Sequence, residues 1–245
     1  MKNALIALSL LGLVAAGGAR GQDVFELEIG RVTTGYNDVA IPGDSGTRLS
    51  LSDDLEAGSA TAFRLRYSHL YAGRHWVAAL AAPLTVKSRG TLDGAVDFDG
   101  TNFPGGTHVD ATFRFDSYRL VYRYRFAGSG RWRFGLGGAL KVRDAAIKLE
   151  AAGLSAEKTN TGFVPLLSFD VVWAPAQGWR LLVDGEALAA PQGRAEDVLF
   201  AVQCDLQPGL SLTAGYRILE GGADNDEVYT FSLFHYVVAG AAVRF

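Results

Sequence analysis

Arginine returns at alternate positions in this chain. In "YRLVYRYRF", Arg119, Arg123 and Arg125 share one parity, and Tyr118, Leu120, Tyr122, Tyr124 and Phe126 take the other. "AFRLRYS" repeats the scheme with Arg64 and Arg66 against Phe63, Leu65 and Tyr67. Side chains two apart on a strand share a face, so each run builds one charged face and one apolar face. Carried along the chain, the polar parity collects Arg64, Arg66, Arg119, Arg123, Arg125, Arg133, Lys141, Arg143, Arg180 and Arg217. The acids of that parity are Glu26, Glu28, Asp170, Asp184, Glu186 and Asp205, so ten bases meet six acids. Guanidinium groups so placed can pair with carboxylates or hold anions. Unpaired buried charge is costly, and the surplus bases imply water, bound anions or a position near a rim.

Other residues suit acid–base or metal chemistry. There are four histidines, His69, His75, His108 and His235. His235 and His108 are the general bases to test, and His69 and His75 flank the short connector "AGRH". Acids cluster in "LSLSDDLEAG" (Asp53, Asp54, Glu56), "DGAVDFDGTN" (Asp93, Asp97, Asp99) and "GGADNDE" (Asp224, Asp226, Glu227). Asp97, Asp99, Asp224 and Asp226 give oxygen-rich loops of the kind that hold Ca²⁺, but no complete calcium-loop motif is present, and solvated loop charge is the plainer reading. The lone Cys204 has no partner for an intramolecular disulfide. No cofactor is expected, and mild acidity argues against nucleic acid as a partner.

The elements that must position these groups are strands. The chain has 245 residues, with 30 Gly, 14 Phe and 9 Tyr, a mixture suited to strands and turns. Pro is sparse and no low-complexity linker appears, which predicts one domain over residues 22–245. Residues 1–21 read as a cleaved secretory signal: Lys2, then "ALIALSLLGLVAAGGA", then Ala19, Arg20 and Gly21 at a cleavage site. Its removal takes two bases and no acids, moving the net charge from −3 to −5. Alternation then recurs in ten segments, among them "VFELEIG", "WVAALAAPLTVK", "WRFGLGGALKVR", "FVPLLSFDVVW", "WRLLVDGEALA", "VLFAVQCDL" and "LSLTAGYRI". Short connectors at 72–75, 127–131, 174–178 and 206–209 alternate with longer ones at 32–59, 88–110, 145–160, 190–195 and 220–227. Most tight turns are bracketed by aromatics: Tyr71 and Trp76, Phe126 and Trp132, Trp173 and Trp179.

A soluble sandwich or calyx also alternates, so the pattern alone does not say which face meets solvent. Three features point to lipid. The charged face mixes Arg, acids and Gly as a crowded barrel interior would. The aromatics bunch at strand ends, as a girdle at a membrane interface does. Segments of about ten residues with tight turns at one end suit strands that cross a bilayer. The chain then ends "HYVVAGAAVRF", alternating up to Phe245. This strand resembles the C-terminal signature of bacterial outer-membrane β-barrel proteins, which the barrel assembly machinery recognises. The resemblance covers the mature chain as a pattern. It implies an all-β, closed antiparallel transmembrane β-barrel, of ten strands with eight or twelve as alternatives, in the outer membrane. The partners implied are outer-membrane lipid, lipopolysaccharide and, through the last strand, the assembly machinery. Phe245 joins Tyr71, Trp76, Phe126, Trp132, Trp173 and Trp179 in the girdle.

Three functions are open on such a scaffold. The first is a structural or narrow-pore barrel, anion-favouring if open, with a charge-paired Arg-rich lumen and acidic outer loops. The second is an outer-membrane enzyme. Omptin-type proteases use Asp and His at the outer rim, whereas His235 falls on the lipid-facing parity. A lipid A-modifying hydrolase would place Ser beside such a His, and here Leu233 and Val237 stand at those positions. The third is a surface interaction protein. Near the outer rim, Arg194 in "APQGRAED" is expected to pair with an acid.

Overall fold

The computed structural model describes residues 22–127, 130–191 and 193–245; the expected signal segment, 1–21, lies outside them. In chain order the strands are β1 (Gln22–Ala40), β2 (Leu49–Ser50), β3 (Glu56–Ala57), β4 (Ala60–Tyr71), β5 (His75–Ala82), β6 (Thr85–Thr91), β7 (Val96–Phe98) and β8 (Thr101–Phe103). They continue with β9 (His108–Ala127), β10 (Trp132–Ala151), β11 (Leu154–Ala176), β12 (Trp179–Ala190), β13 (Gly193–Gln207), β14 (Leu210–Asn225) and β15 (Val228–Arg244).

Ten staves form the wall: β1, β4, β5 continued by β6, and β9 to β15, each antiparallel to its neighbours. β15 pairs back onto β1 from Val24↔Arg244 to Ala40↔Tyr229, so the sheet closes. Closure is what hydrocarbon demands, since an open edge would leave backbone groups unsatisfied there. Phe245 seals the seam: its N–H donates to Asp23 O at 3.0 Å, and its carbonyl accepts from Asp23 N at 3.1 Å. Leu27, Ile29, Phe63, Leu120, Leu136 and Leu167 all stand exposed on the outer face. An apolar belt of this kind is covered by lipid.

The belt has a visible upper edge. Above Tyr118 and Val142 the outward positions turn charged, and Arg114 donates to both Asp144 (2.8 and 3.1 Å) and Asp116 (3.1 Å). Further round, outward-facing Arg194 pairs with Glu220 at 2.7 Å and lies over the Phe231 ring.

Two sequence expectations are corrected. Among the described residues only two outer connections, 41–59 and 92–107, are long. The segments expected as loops at 145–160, 190–195 and 220–227 are mostly strand where they are described, with tight turns at 152–153 and 226–227. These strands continue above the lipid, where the outward face turns polar, while inward Ile147 and Leu149 of β10 stay buried.

The second correction concerns Trp76, placed in the girdle by its position beside a turn. It is 5% exposed and points into the barrel, whereas its neighbour Val77 is 40% exposed outside. The stretch "WVAALAA" is apolar on both faces, so period two does not reveal its direction. Pairing decides it: Trp76 sits opposite Arg123 on β9 and is surrounded by the Arg123, Arg125 and Arg66 guanidiniums at 4.8, 5.5 and 5.7 Å. Tyr71, Phe126, Trp132, Trp173, Trp179 and Phe245 lie on the outer face at the tight-turn end, with Trp132 and Trp173 stacked at 5.8 Å.

The two long connections fold back over the outer opening. Leu49, Leu51, Leu55, Leu92, Phe98 and Phe103 pack with Val39, Val109 and Phe113 into one buried cluster. Backbone bonds pin this cap, Thr47 N–H to Asp97 O at 3.0 Å and Asp99 N–H to Ile41 O at 2.9 Å. The cap covers the β1–β9 side of the mouth, and a cavity remains beside β10 to β14.

Candidate functional site: a charged septum between two cavities

The lumen is crossed by two layers of ion pairs. In the outer layer Asp197 on β13 receives Arg119 of β9 at 2.6 Å, Arg64 of β4 at 3.0 Å and Arg217 of β14. Arg217 also grips Glu28 of β1 with two bonds, at 3.0 and 2.9 Å. Arg119 reaches Glu186 of β12 and takes Ser117 Oγ at 2.9 Å. Three guanidiniums thus meet three carboxylates, drawn from six staves. Arg119 and Arg217 are 2% and 4% exposed at the side chain, so water has little access to them. A desolvated network of this kind holds only because every charge meets an opposite partner, and all but Glu186 meet at least two.

The inner layer lies toward the termini. Arg66 pairs with Glu26 at 2.6 Å and Asp184 at 3.2 Å. Arg123 bonds Asp184 and Ser168 Oγ, the latter at 2.7 Å, and approaches Asp170 at 3.6 Å. Arg133 reaches Asp170 from the rim at 3.5 Å. Glycine makes room: a Cβ on Gly135 would lie 2.1 Å from Asp170 Oδ1, and one on Gly137 would lie 1.9 Å from Tyr122 O. At the rim Arg180 holds Asp205, whose carboxylate also accepts from Ser211 Oγ at 2.6 Å.

These layers divide the interior. Toward the termini is a vestibule of about 180 Å³, lined by Arg66, Arg123, Arg125, Arg133 and Arg180. Toward the outside is a cup of about 380 Å³ with apolar walls that include Phe113, Phe115, Val164, Leu188 and Phe234.

The surplus bases fall in three places. Arg125 is stacked over Trp76, and its Nε has no hydrogen-bond partner among the described residues. Arg143 donates to Asn160 at the cup wall. Lys141 is 3% exposed, beside Arg119 in register, and its ammonium lies 5.0 Å from the Phe115 ring centre.

Sequence reasoning left Asp197 out of the lumen because it assigned 190–195 to a loop and began the strand at Val198. Parity was the available signal: Asp197 alternates with Val198 and shares a face with Leu199, Ala201 and Gln203. Cys204 lies on the opposite, outward parity, partly buried.

The histidines are not brought together. His235 faces outward and bonds Tyr216 OH through Nδ1 at 2.6 Å, and its Nε2 lies close over Gly35. His108 starts β9 next to Thr91, at 3.5 Å. His69 meets Asp23 at 2.9 Å at the opposite end. The Asp97 carboxylate takes Asn102 Nδ2 at 2.6 Å in the cap, and Asp99 and Gly100 turn the β7–β8 hairpin in the left-handed region. Asp224 lies near the end of β14, and the Asp226 carbonyl accepts Gly43 N–H at 2.9 Å. No group of three or more His, Cys, Asp or Glu among the described residues is arranged to hold a metal ion.

No family model matches the chain, and no curated protein matches it. Solved structures do resemble it. The outer membrane protease OmpT from Escherichia coli superposes with a TM-score of 0.56 at 8% identity, over 95% of this chain and 99% of that one. An outer membrane channel from Pseudomonas putida F1 gives a TM-score of 0.47 at 9% identity, over 96% and 98% of the two chains. Ail, the attachment invasion locus protein of Yersinia pestis, gives 0.40 at 14% identity, over 93% and 100%. At such identities the likeness is one of fold. Closed wall, apolar belt and shared architecture make this chain a ten-stranded barrel of the bacterial outer-membrane type.

Proposed function

We propose that the chain is a structural outer-membrane barrel, closed to ion flow, with a capped outer mouth and acidic connections facing away from the cell. The observation that carries this reading is Asp197. It ties β4, β9 and β14 together through the middle of the lumen at ion-pair distances, which supports a lumen too crowded for a hydrated ion. The apolar belt supports lipid as the partner of the wall. The alternating last strand and its Phe245 seam support delivery by the barrel assembly machinery. Planar-bilayer recording of the purified barrel tests it. The expected trace is flat, and discrete anion-selective steps in the wild type would overturn it. A narrow, anion-favouring pore is the second reading. It is favoured by one feature, the Arg-lined vestibule on the terminus side.

A further inference from the structure

The outer cup has three properties that belong together. Its walls are apolar, carrying Phe113, Phe115, Val164, Leu188 and Phe234. At its floor stands Lys141, 3% exposed, with no hydrogen bond or carboxylate within ion-pair distance among the described residues. The carboxylates of the septum below are already taken by Arg64, Arg119 and Arg217. A buried ammonium without a counter-charge is costly, and an anionic ligand would relieve that cost.

The third property is a break in the wall. β11 and β12 are paired only from Leu167↔Ala187 down to Ala176↔Trp179. Beyond that point β11 pairs with β10 alone and β12 with β13 alone, among the described residues. Pro165, which has no N–H to offer a ladder, stands where the pairing stops. Val164 and Leu188 line the cup beside the break. Outside it, Phe163 and Leu167 are 74% and 59% exposed, so the break opens at the level of the apolar belt. A cavity of about 380 Å³ falls in the range of about 300–1,000 Å³ that encloses small ligands.

From this we propose that the cup is a binding site for a single-chain amphiphilic acid, which enters sideways from the outer leaflet through the β11–β12 break. The acyl chain lies against Phe113, Phe115 and Leu188, and the carboxylate reaches Lys141 Nζ. The site rests on the septum as its floor, and its readout is independent of conductance, so the two readings can fail separately.

The full barrel in phosphatidylcholine vesicles is titrated with dodecanoate and with dodecanol. Saturable binding of dodecanoate is expected, with dodecanol at least about tenfold weaker because it lacks the charge. Lys141→Met should weaken dodecanoate by a similar factor and leave dodecanol unchanged. Leu188→Trp, which fills the cup, should abolish both while the unheated band on gels stays folded. Dodecanoate binding that is equal in wild type and Lys141→Met, or absent from a folded wild-type barrel, would overturn the site. A second arm compares dodecanoate preloaded in the bilayer with octanoate added from water. Capture of the preloaded acid is expected, and capture of octanoate alone would overturn the sideways entry.

Discussion

Arg119 Nη2 stands 2.6 Å from Asp197 Oδ2, two side chains from strands on different sides of the lumen, both nearly out of reach of water. The same carboxylate serves Arg64 and Arg217. Asp197 is thus the one carboxylate that all three guanidiniums share, with Glu28 and Glu186 completing the balance.

Asp197→Asn should be the most damaging single change in the lumen. It leaves three buried guanidiniums short of a counter-charge, and breaking a buried pair typically costs about 3–5 kcal/mol. Urea unfolding in vesicles, followed by the gel shift between folded and heated barrel, measures it. Asp205→Asn at the half-exposed rim should cost under about 1 kcal/mol, and equal losses at the two sites would contradict the septum's role.

Gly135→Val tests how tightly the inner layer is packed. Its Cβ would meet Asp170 Oδ1 at 2.1 Å, forcing the carboxylate off Arg123 and Arg133. A loss of about 1–3 kcal/mol is expected from overpacking. Gly138→Ala, whose Cβ would come no nearer than 3.6 Å to Leu166 O, is the control and should be near neutral.

Asn37 offers a gain. It is 1% exposed beneath the cap, and both its side-chain nitrogen and oxygen lack hydrogen-bond partners among the described residues. An apolar isostere removes that penalty, so Asn37→Leu should stabilise the barrel by about 1–2 kcal/mol. A lowered urea midpoint would show that the amide has a partner that matters.

Asp144 gives a pH dependence above the lipid belt. The hydrogen bonds and charge of Arg114 hold its carboxyl below the usual 3.8. A depressed folded-state pKa contributes stability that is complete above about pH 3.8 and is lost as pH falls through the folded value. Wild type should therefore lose slightly more stability than Asp144→Asn on acidification below pH 3.8, by less than about 1 kcal/mol for so accessible a pair. Parallel acid limbs in the two proteins would show that the pair contributes nothing.

The strand wall was readable because period-two alternation leaves its mark wherever one face is apolar and the other charged. "YRLVYRYRF" placed Arg119, Arg123 and Arg125 inward from sequence alone. The same rule was silent where both faces are apolar, which is why Trp76 turned up inside the lumen. It also ran out above the lipid, where the outward face is no longer apolar, so strands rising there looked like loops and Asp197 went with them. The apolar cap could not be read at all, since Leu49, Phe98 and Phe103 follow no period and meet only in three dimensions. Pairing across the lumen is equally invisible: Glu28 and Arg217 are far apart in the chain and are joined only by closure.

That last bond reaches over β15, which lies between β1 and β14 in the wall. It can do so because the inward position of β15 opposite Glu28 is Gly240. The first stave is therefore fastened to the ninth across the tenth, like a clasp closed over the final link of a bracelet. A sheet that had laid down every strand but the last could not engage it, so the clasp marks the moment the circle is complete.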